Sequence, residues 1–371
     1  MTSLFWFIIS YLTNRSISDS IQNMSDDYII KHINEDFQVT EVPLLPEIKG
    51  TGKYIYLWIK KKNYTTFEVE DICKDFFSVS FEDINVEGLK DEDGITSQLF
   101  SIHKTIKEVD IEDFNKTYSL SDKFVYIERI VGYGDLPVQE KKLHGNIFKL
   151  VVRNISENTF DILKNILQKN RNVSFVNYYD DQRFGLPNGV YNTHIIGKHI
   201  INSDTEALIK EIRLSKDKTW NVIDIDRLQG GIKIMEELRK KINYKKILFY
   251  VASYNSYLWN THISKKLEFF HEGHCMQIRD IFELFVPNSK IESFETGKII
   301  EYGLDDEGNK EERDISNRDT VVHTNVFISD IEDDEFFKGK HKVTLQFFLP
   351  TGCYATMFIK QLFHKVIYEQ K

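Results

Sequence analysis

The segment GLKDEDGITSQ at 88–98 places Lys90, Asp91, Glu92 and Asp93 in a turn between two stretches that read as strands. A carboxylate at such a turn can serve as a nucleophile, and an adjacent ammonium favours its ionised form. On charge alone, the same segment is a solvated loop. A second cluster, HEGHC at 271–275, brings His271, His274 and Cys275 together. A metal centre there would need a fourth ligand or water, and no second cluster supplies one, so no metal is expected. No GxGxxG fingerprint, Walker A loop or GxSxG elbow occurs, and GTGK at 50–53 lacks the spacing and the Ser/Thr of a phosphate loop. No nucleotide cofactor is implied. Cys73, Cys275 and Cys353 lie far apart without a CxxC pair, which fits a reducing, cytoplasmic setting rather than a disulfide framework.

The elements that must hold these residues can be read from periodicity. FQVTEV from Phe37 and YIYLWIK from Tyr54 read as strands separated by a Pro/Gly-containing loop. Thr65 and Glu68 form a capping box, and Phe67, Ile72, Phe76 and Phe77 follow at helical spacing. Further strands are expected at 84–88, 97–103, 123–131 and 146–152, and a helix at 157–169 with Phe160, Leu163, Ile166 and Leu167 on one face. Several strands interleaved with few helices predict an α+β sheet rather than a βαβ array. Beyond residue 200, TEALIKEIRL, MEELRKKI and Ile247 to Leu267 read as helices. From 268 to 340 the chain is polar and without clear periodicity, as an inserted or peripheral module would be. KVTLQFFLP then reads as a strand and YATMFIKQLFHKVI as an amphipathic helix returning to the first sheet.

With 371 residues, 41% of them hydrophobic, the chain can build one large core or two ordinary ones. Its only membrane-like stretch, LFWFIISYL at 4–12, is far short of the roughly twenty residues a spanning helix needs. No membrane association is expected, and a packed N-terminal extension or a start at Met24 accounts for that stretch. The formal charge of −9 argues against indiscriminate coating of nucleic acid. Basic clusters at Lys60 to Lys62, Arg239 to Lys246 and Lys338 to Lys342 can still form a local patch, while Asp305 to Glu312 and Asp330 to Glu335 carry much of the excess negative charge.

The turn at 88–98 resembles the GLKDK-x-A-x-T-x-Q segment of the TruD pseudouridine synthase family, with Asp91 at the family's nucleophile, Lys90 before it, and Thr96 and Gln98 at the Thr and Gln. The resemblance continues in order. NEDFQVTEV at 34–42 is similar to EDF-x-V-x-E, and KYIYLWIKKKNYTTFEV at 53–69 to the strand and helix after it. NYYDDQRFG at 177–185 is similar to NYFG-x-QRFG, SYNSYLWN at 253–260 to AYQSYLFN, and LPTGCYATMFIKQL at 349–362 to LP-x-G-x-(F/Y)AT-x-x-x-R-x-L. The resemblance implies an RNA-modifying isomerase that converts a uridine to its C-glycoside without metal or cofactor. Because a base inside a helix is unreachable, the uridine must be extruded and held by stacking and edge hydrogen bonds. The implied substrate is tRNA, with the D-arm uridine at position 13 as the bacterial-type target.

By the same resemblance Phe37, Tyr179 and Tyr354 fall where the family lines its pocket with aromatic rings, each of which can instead be ordinary core. Asn177 offers donor and acceptor to the backbone or to Asp91. Lys90 can pair with Asp91 or reach a phosphate, and Gln182 and Arg183 can bind the RNA backbone or form internal contacts. The sequence departs from the pattern after GLKD, where the family has a basic residue and this chain has Glu92 followed by Asp93, and at Glu87, Tyr179 and Asp180. Three consecutive carboxylates would repel phosphate and disfavour ionisation of Asp91. A catalytically weakened RNA-binding or tRNA-folding protein on the same scaffold is therefore the alternative reading. The expected architecture is V-shaped with an RNA cleft. It comprises an N-terminal extension at 1–26, a catalytic domain from 27–186 and 343–371, and a TRUD-type insertion at 187–342, of which the helices at 200–267 can pack on the catalytic part. Oligomeric state is not legible.

Overall fold

The computed structural model describes residues 27–119, 122–138, 143–185, 190–215, 220, 244–305, 309–314 and 318–369. The apolar N-terminal stretch, Met24, the helix expected at MEELRKKI and most of the basic cluster from Arg239 lie outside the described residues.

The N-terminal half contributes strands β1 (Ile29–Ile30), β2 (Phe37–Pro43), β3 (Tyr54–Lys62), β4 (Ile84–Val86), β5 (Ile95–Ile102), β6 (Phe124–Gly134), β7 (Leu143–Ile155) and β8 (Asn172–Val176). With them come helices α1 (Thr66–Phe77), α2 (Glu108–Tyr118) and α3 (Glu157–Lys169). Then follow α4 (Thr193–Ile201), α5 (Thr205–Ser215) and the long α6 (Tyr244–Phe270). Strands β9 (Gly273–Ile278), β10 (Phe282–Pro287), β11 (Ile300–Leu304), β12 (Lys310–Asp314), β13 (Val321–Asn325), β14 (Phe327–Ile328) and β15 (Glu332–Asp333) lead to β16 (His341–Pro350) and α7 (Ala355–Glu369).

Among the described residues ten strands form one sheet, ordered β14-β16-β7-β2-β5-β3-β6, with β1 on β7, β15 on β16 and β4 on β5. β2 and β5 run parallel, and the other pairs of this sheet are antiparallel. The mixed, largely antiparallel sheet expected of an α+β fold is what forms, and the C-terminal strand and helix do return to it. β3 lies inside the sheet, so Ile55 to Ile59 are all buried and the sequence reads as an unbroken apolar run. The capping box at the start of α1 is present: the Glu68 N–H donates to the Thr65 hydroxyl at 3.1 Å, and the Thr65 N–H donates to the Glu68 carboxylate at 2.7 Å. α7 packs against α3 and the sheet in one core that includes Phe160, Leu163, Leu345, Phe358 and Phe363.

The stretch from 268 to 340, expected to be irregular, instead holds seven short strands among its described residues. They pair as the β9–β10 and β11–β12 hairpins, and β13 pairs with β8 from the first half of the chain. Strands of two to six residues carry too little alternation to be read alone; their partners define them. One buried cation, Arg153 on β7, ties distant segments together by donating to Asp36 at 2.8 Å and to Asp334 at 3.1 Å. α6 shares a core with Val176, Tyr178 and Met357, while α4 and α5 pack on its other end around Trp220 and Tyr250.

Candidate active site

The turn that carries Asp91 runs from β4 to β5, which pair antiparallel from Ile84–Ile102 to Val86–Phe100. Gly88 takes a left-handed φ of +65°, a conformation that costs glycine nothing. Gly94 lies so close to Phe37 that an added Cβ would collide with the Phe37 carbonyl oxygen. This closeness follows from the parallel pairing of β2 with β5, where Gln38 stands opposite Ile95.

Two buried lysines organise the turn. Lys61 on β3, 2% exposed, donates to the carbonyls of Asp91 and Tyr64 at 2.7 Å and of Lys90 at 3.3 Å. Burial pushes its ammonium down to about 8, although Asp91, Glu92 and Glu68 pull the other way. Lys90 does not pair with Asp91, as its sequence position suggested. Its ammonium sits 2.8 Å from the buried carboxylate of Glu41, in an ion pair only 5% and 0% exposed, which also keeps it from any phosphate. The Lys90 N–H donates to the Thr66 hydroxyl at 3.0 Å, that hydroxyl to Gln98 at 3.2 Å, and the Gln98 amide to the Gly88 carbonyl at 3.4 Å. The Lys and Gln of the motif therefore clamp the turn from inside.

The cation beside Asp91 is Lys31. Its ammonium is 3.5 Å from the Asp91 carboxylate and 3.8 Å from the centre of the Phe37 ring. Asp91 is 43% exposed on its side chain against 8% for Lys31, so the acid faces outward over a nearly buried base. Phe37, itself 2% exposed, spends one face on Lys31 and an edge on Phe148. In this conformation it supports the pair and presents no open face to a base.

Glu92 is half-buried, and burial, then Glu68 and Asp93, push its carboxyl up to about 7. A group raised in the folded state stabilises fully below its unfolded pKa near 4.5 and loses that contribution as pH rises through 7. Glu92→Gln is therefore expected to match the wild type in thermal stability at pH 5 and to exceed it at pH 8. After discounting for solvent screening the gain is on the order of 1 kcal/mol. Equal melting temperatures at pH 8 would contradict this. The same shift lowers the negative charge that Glu92 places beside Asp91 at neutral pH.

A second group of motif residues gathers at the end of β8. Asn177 is buried and donates through its side-chain amide to the Asp319 carbonyl at 3.0 Å, while its oxygen accepts from Arg318 at 2.8 Å. Asn177 thus takes the backbone option and does not bond to Asp91. The Arg318 guanidinium lies 3.9 Å from the Tyr179 ring centre, and the Tyr179 and Tyr354 rings meet edge to face at 6.1 Å. Both tyrosines are half-buried, so each keeps some open surface. Arg183 donates to the Ser256 hydroxyl at 3.2 Å, an internal contact, and Gln182 is half-buried beside it. Asp180, where the family pattern has Gly, is fully buried, and Lys360, where the pattern has Arg, lies 2.6 Å away. Lys360 also reaches Asp181, which pairs with Arg279, so the substituted acid is neutralised internally.

Tyr28, three residues before Lys31, stacks on Phe363 of α7 at 4.4 Å, and burial, then the charges of Asp180 and Asp27, push its hydroxyl's pKa up. Lys31, Glu41, Trp259 and Arg318 were not singled out in the sequence, and Lys61 was read only within a basic cluster able to form a patch, from which its burial removes it. For Lys61 a signal existed, since a lysine inside a strand with both faces covered must find buried acceptors. Arg318 sits in a polar, aperiodic segment and left none. His274 and Cys275 are consecutive on β9 and point to opposite faces, and His274 stacks on Tyr368. Among the described residues no His, Cys, Asp or Glu cluster could hold a metal ion, and no helix is long and apolar enough to cross a membrane.

Residues 25–221 match the family model of tRNA pseudouridine synthase D (TruD), more than half of the chain. The chain belongs to the TruD family. With that membership goes the enzyme class, pseudouridine synthase, an isomerase. "Probable tRNA pseudouridine synthase D 2" of Methanocaldococcus jannaschii is 28% identical over 400 residues, spanning 89% of this chain and 90% of that protein. The tRNA pseudouridine synthase D of Aquifex aeolicus is 26% identical, spanning 91% and 98%. A crystal structure from Methanosarcina mazei that carries the TruD name superposes with a TM-score of 0.60 over 96% of this chain and 97% of that one. At 19% identity that likeness bears on the fold.

Proposed function

We propose that this chain isomerises a specific uridine in RNA to pseudouridine, with tRNA as substrate, a target of the position 13 type, and Asp91 as the nucleophile. The observation that carries the reading is the outward-facing Asp91 carboxylate over the nearly buried Lys31, on a turn whose backbone is held by Lys61. An exposed acid with a fixed cation beneath it is held in place and accessible, which is what attack on a sugar or base requires. The uridine would be extruded and held by stacking on the open surfaces of Tyr179 and Tyr354. No cofactor enters, because the glycosidic bond is broken and re-formed to carbon without net oxidation or reduction. We take 27–186 with 343–371 as the catalytic part and 187–342 as the insertion, with RNA between them. The pairing of β8 with β13 and the packing of α6 on Tyr178 support close cooperation of the two.

Mapping of pseudouridine in RNA from cells with and without this protein tests the reading. At least one tRNA uridine is expected to lose modification in its absence and regain it on expression of the wild type. An unchanged map would sink the proposal and favour the tRNA-folding alternative.

A further inference from the structure

The geometry points to Arg318 as a positioning residue of the uridine pocket, supplied by the inserted region to walls built by the catalytic part. This deepens the reading above and rests on it. The guanidinium lies between two rings, 3.9 Å from the centre of Tyr179 and 5.6 Å from that of Trp259. Its donors reach three acceptors on two separate motifs: the Asn177 carbonyl at 3.1 and 3.3 Å, the Asn177 side-chain oxygen at 2.8 Å and the Gly352 carbonyl at 2.9 Å. Gly352 stands two residues before Tyr354, so one planar group sets the spacing between the strand end that carries Tyr179 and the turn that carries Tyr354. Trp259 closes the arrangement by donating to the same Asn177 carbonyl at 3.0 Å.

No carboxylate within salt-bridge distance of Arg318 appears among the described residues, so its charge is spent on carbonyls and ring faces. Such a fork has directional demands that an ammonium cannot meet, because lysine offers a single point of attachment where arginine spans several acceptors. It also orients the Asn177 amide. With the oxygen taken by Arg318 and the nitrogen donating to Asp319, the side chain cannot flip. A pocket for a flipped pyrimidine needs walls at a fixed separation, and a shift of about 1 Å in such a wall is enough to cost on the order of a hundredfold in rate.

The test compares wild type, Arg318→Met, Arg318→Lys and Arg318→Ala in steady-state modification of unmodified tRNA. Arg318→Met is expected to lower kcat at least about tenfold while KM changes less than about threefold, as for a group that orders reacting parts without itself holding the RNA. Arg318→Lys should fail to restore kcat, whereas free guanidinium ion should partly restore Arg318→Ala. Wild-type kcat in the Met variant, or full rescue by Lys, would overturn the assignment. A rise in KM with kcat unchanged would overturn it too, by making Arg318 an RNA-backbone contact.

The emission of Trp259, isolated by subtracting the spectrum of a Trp259→Phe chain, provides a readout that needs no turnover. Its environment should change in Arg318→Met with the melting temperature preserved; an unchanged spectrum counts against the clamp. If wild type modifies no RNA, the proposed activity fails while this spectroscopic result still decides whether Arg318 holds the walls.

Discussion

Asp91→Ala is expected to leave a folded protein that binds tRNA and forms no measurable pseudouridine, a loss of at least about 10⁴-fold, as when a nucleophile is removed from its site. The fold should tolerate the change. Asp91 is exposed over 43% of its side chain and its pair with Lys31 is long, at 3.5 Å, so the stability at stake is about 0–1 kcal/mol. Affinity for tRNA should hold or rise slightly, since the substitution removes one negative charge from a turn that also carries Glu92 and Asp93. Asp91→Asn separates chemistry from packing: it keeps the size of the side chain and should be equally inactive. Single-turnover pseudouridine release on bulk unmodified tRNA, with filter binding in parallel, reads both effects. An Asn variant with more than a few per cent of wild-type rate would remove Asp91 from the chemical step.

The second large effect concerns Lys61, which touches no substrate in the proposed reaction. Lys61→Met withdraws the donor from the carbonyls of Tyr64, Lys90 and Asp91 at once. Each carbonyl left without a partner costs about 1–3 kcal/mol unless the turn moves to find water, and moving the turn moves Asp91. Displacement by about 1 Å predicts a fall in kcat on the order of a hundredfold, with tRNA binding nearly unchanged. The ammonium of Lys61, held at about 8 by burial, adds a pH signature. Once neutral it has two N–H donors for three carbonyls, so wild-type kcat should decline along an alkaline limb near pH 8, and Lys61→Met should lack that limb. Stability runs the opposite way. A lysine depressed in the folded state lets the unfolded chain hold more protons between pH 8 and about 10.5, so folding becomes more favourable as pH rises through that window. A Met variant with wild-type kcat and the same alkaline limb would show that Lys61 is packing alone.

The departures from the family pattern acquire a physical meaning in three dimensions. Asp180 is matched by Lys360, and Glu92 is pushed toward its neutral form by burial. Neither compensation is visible along the chain, because Asp180 and Lys360 are 180 residues apart and Glu92 lies in a segment that reads as solvated. The acidic turn is thus less hostile to phosphate than its string of carboxylates suggests.

Read by itself, the sequence determined the strands around the turn, helix α3, the closing strand and helix, the family, and the position of Asp91. These depend on local periodicity, capping and contiguous motifs, which survive in one dimension. Only the tertiary structure decided which cation serves Asp91, that Lys90 belongs to Glu41, that Phe37 is covered by Lys31, and that Arg318 joins Asn177 to Gly352. Those facts depend on charges brought together from strands and loops far apart in sequence, where the need of a buried ion for partners, rather than any local preference, selects the arrangement.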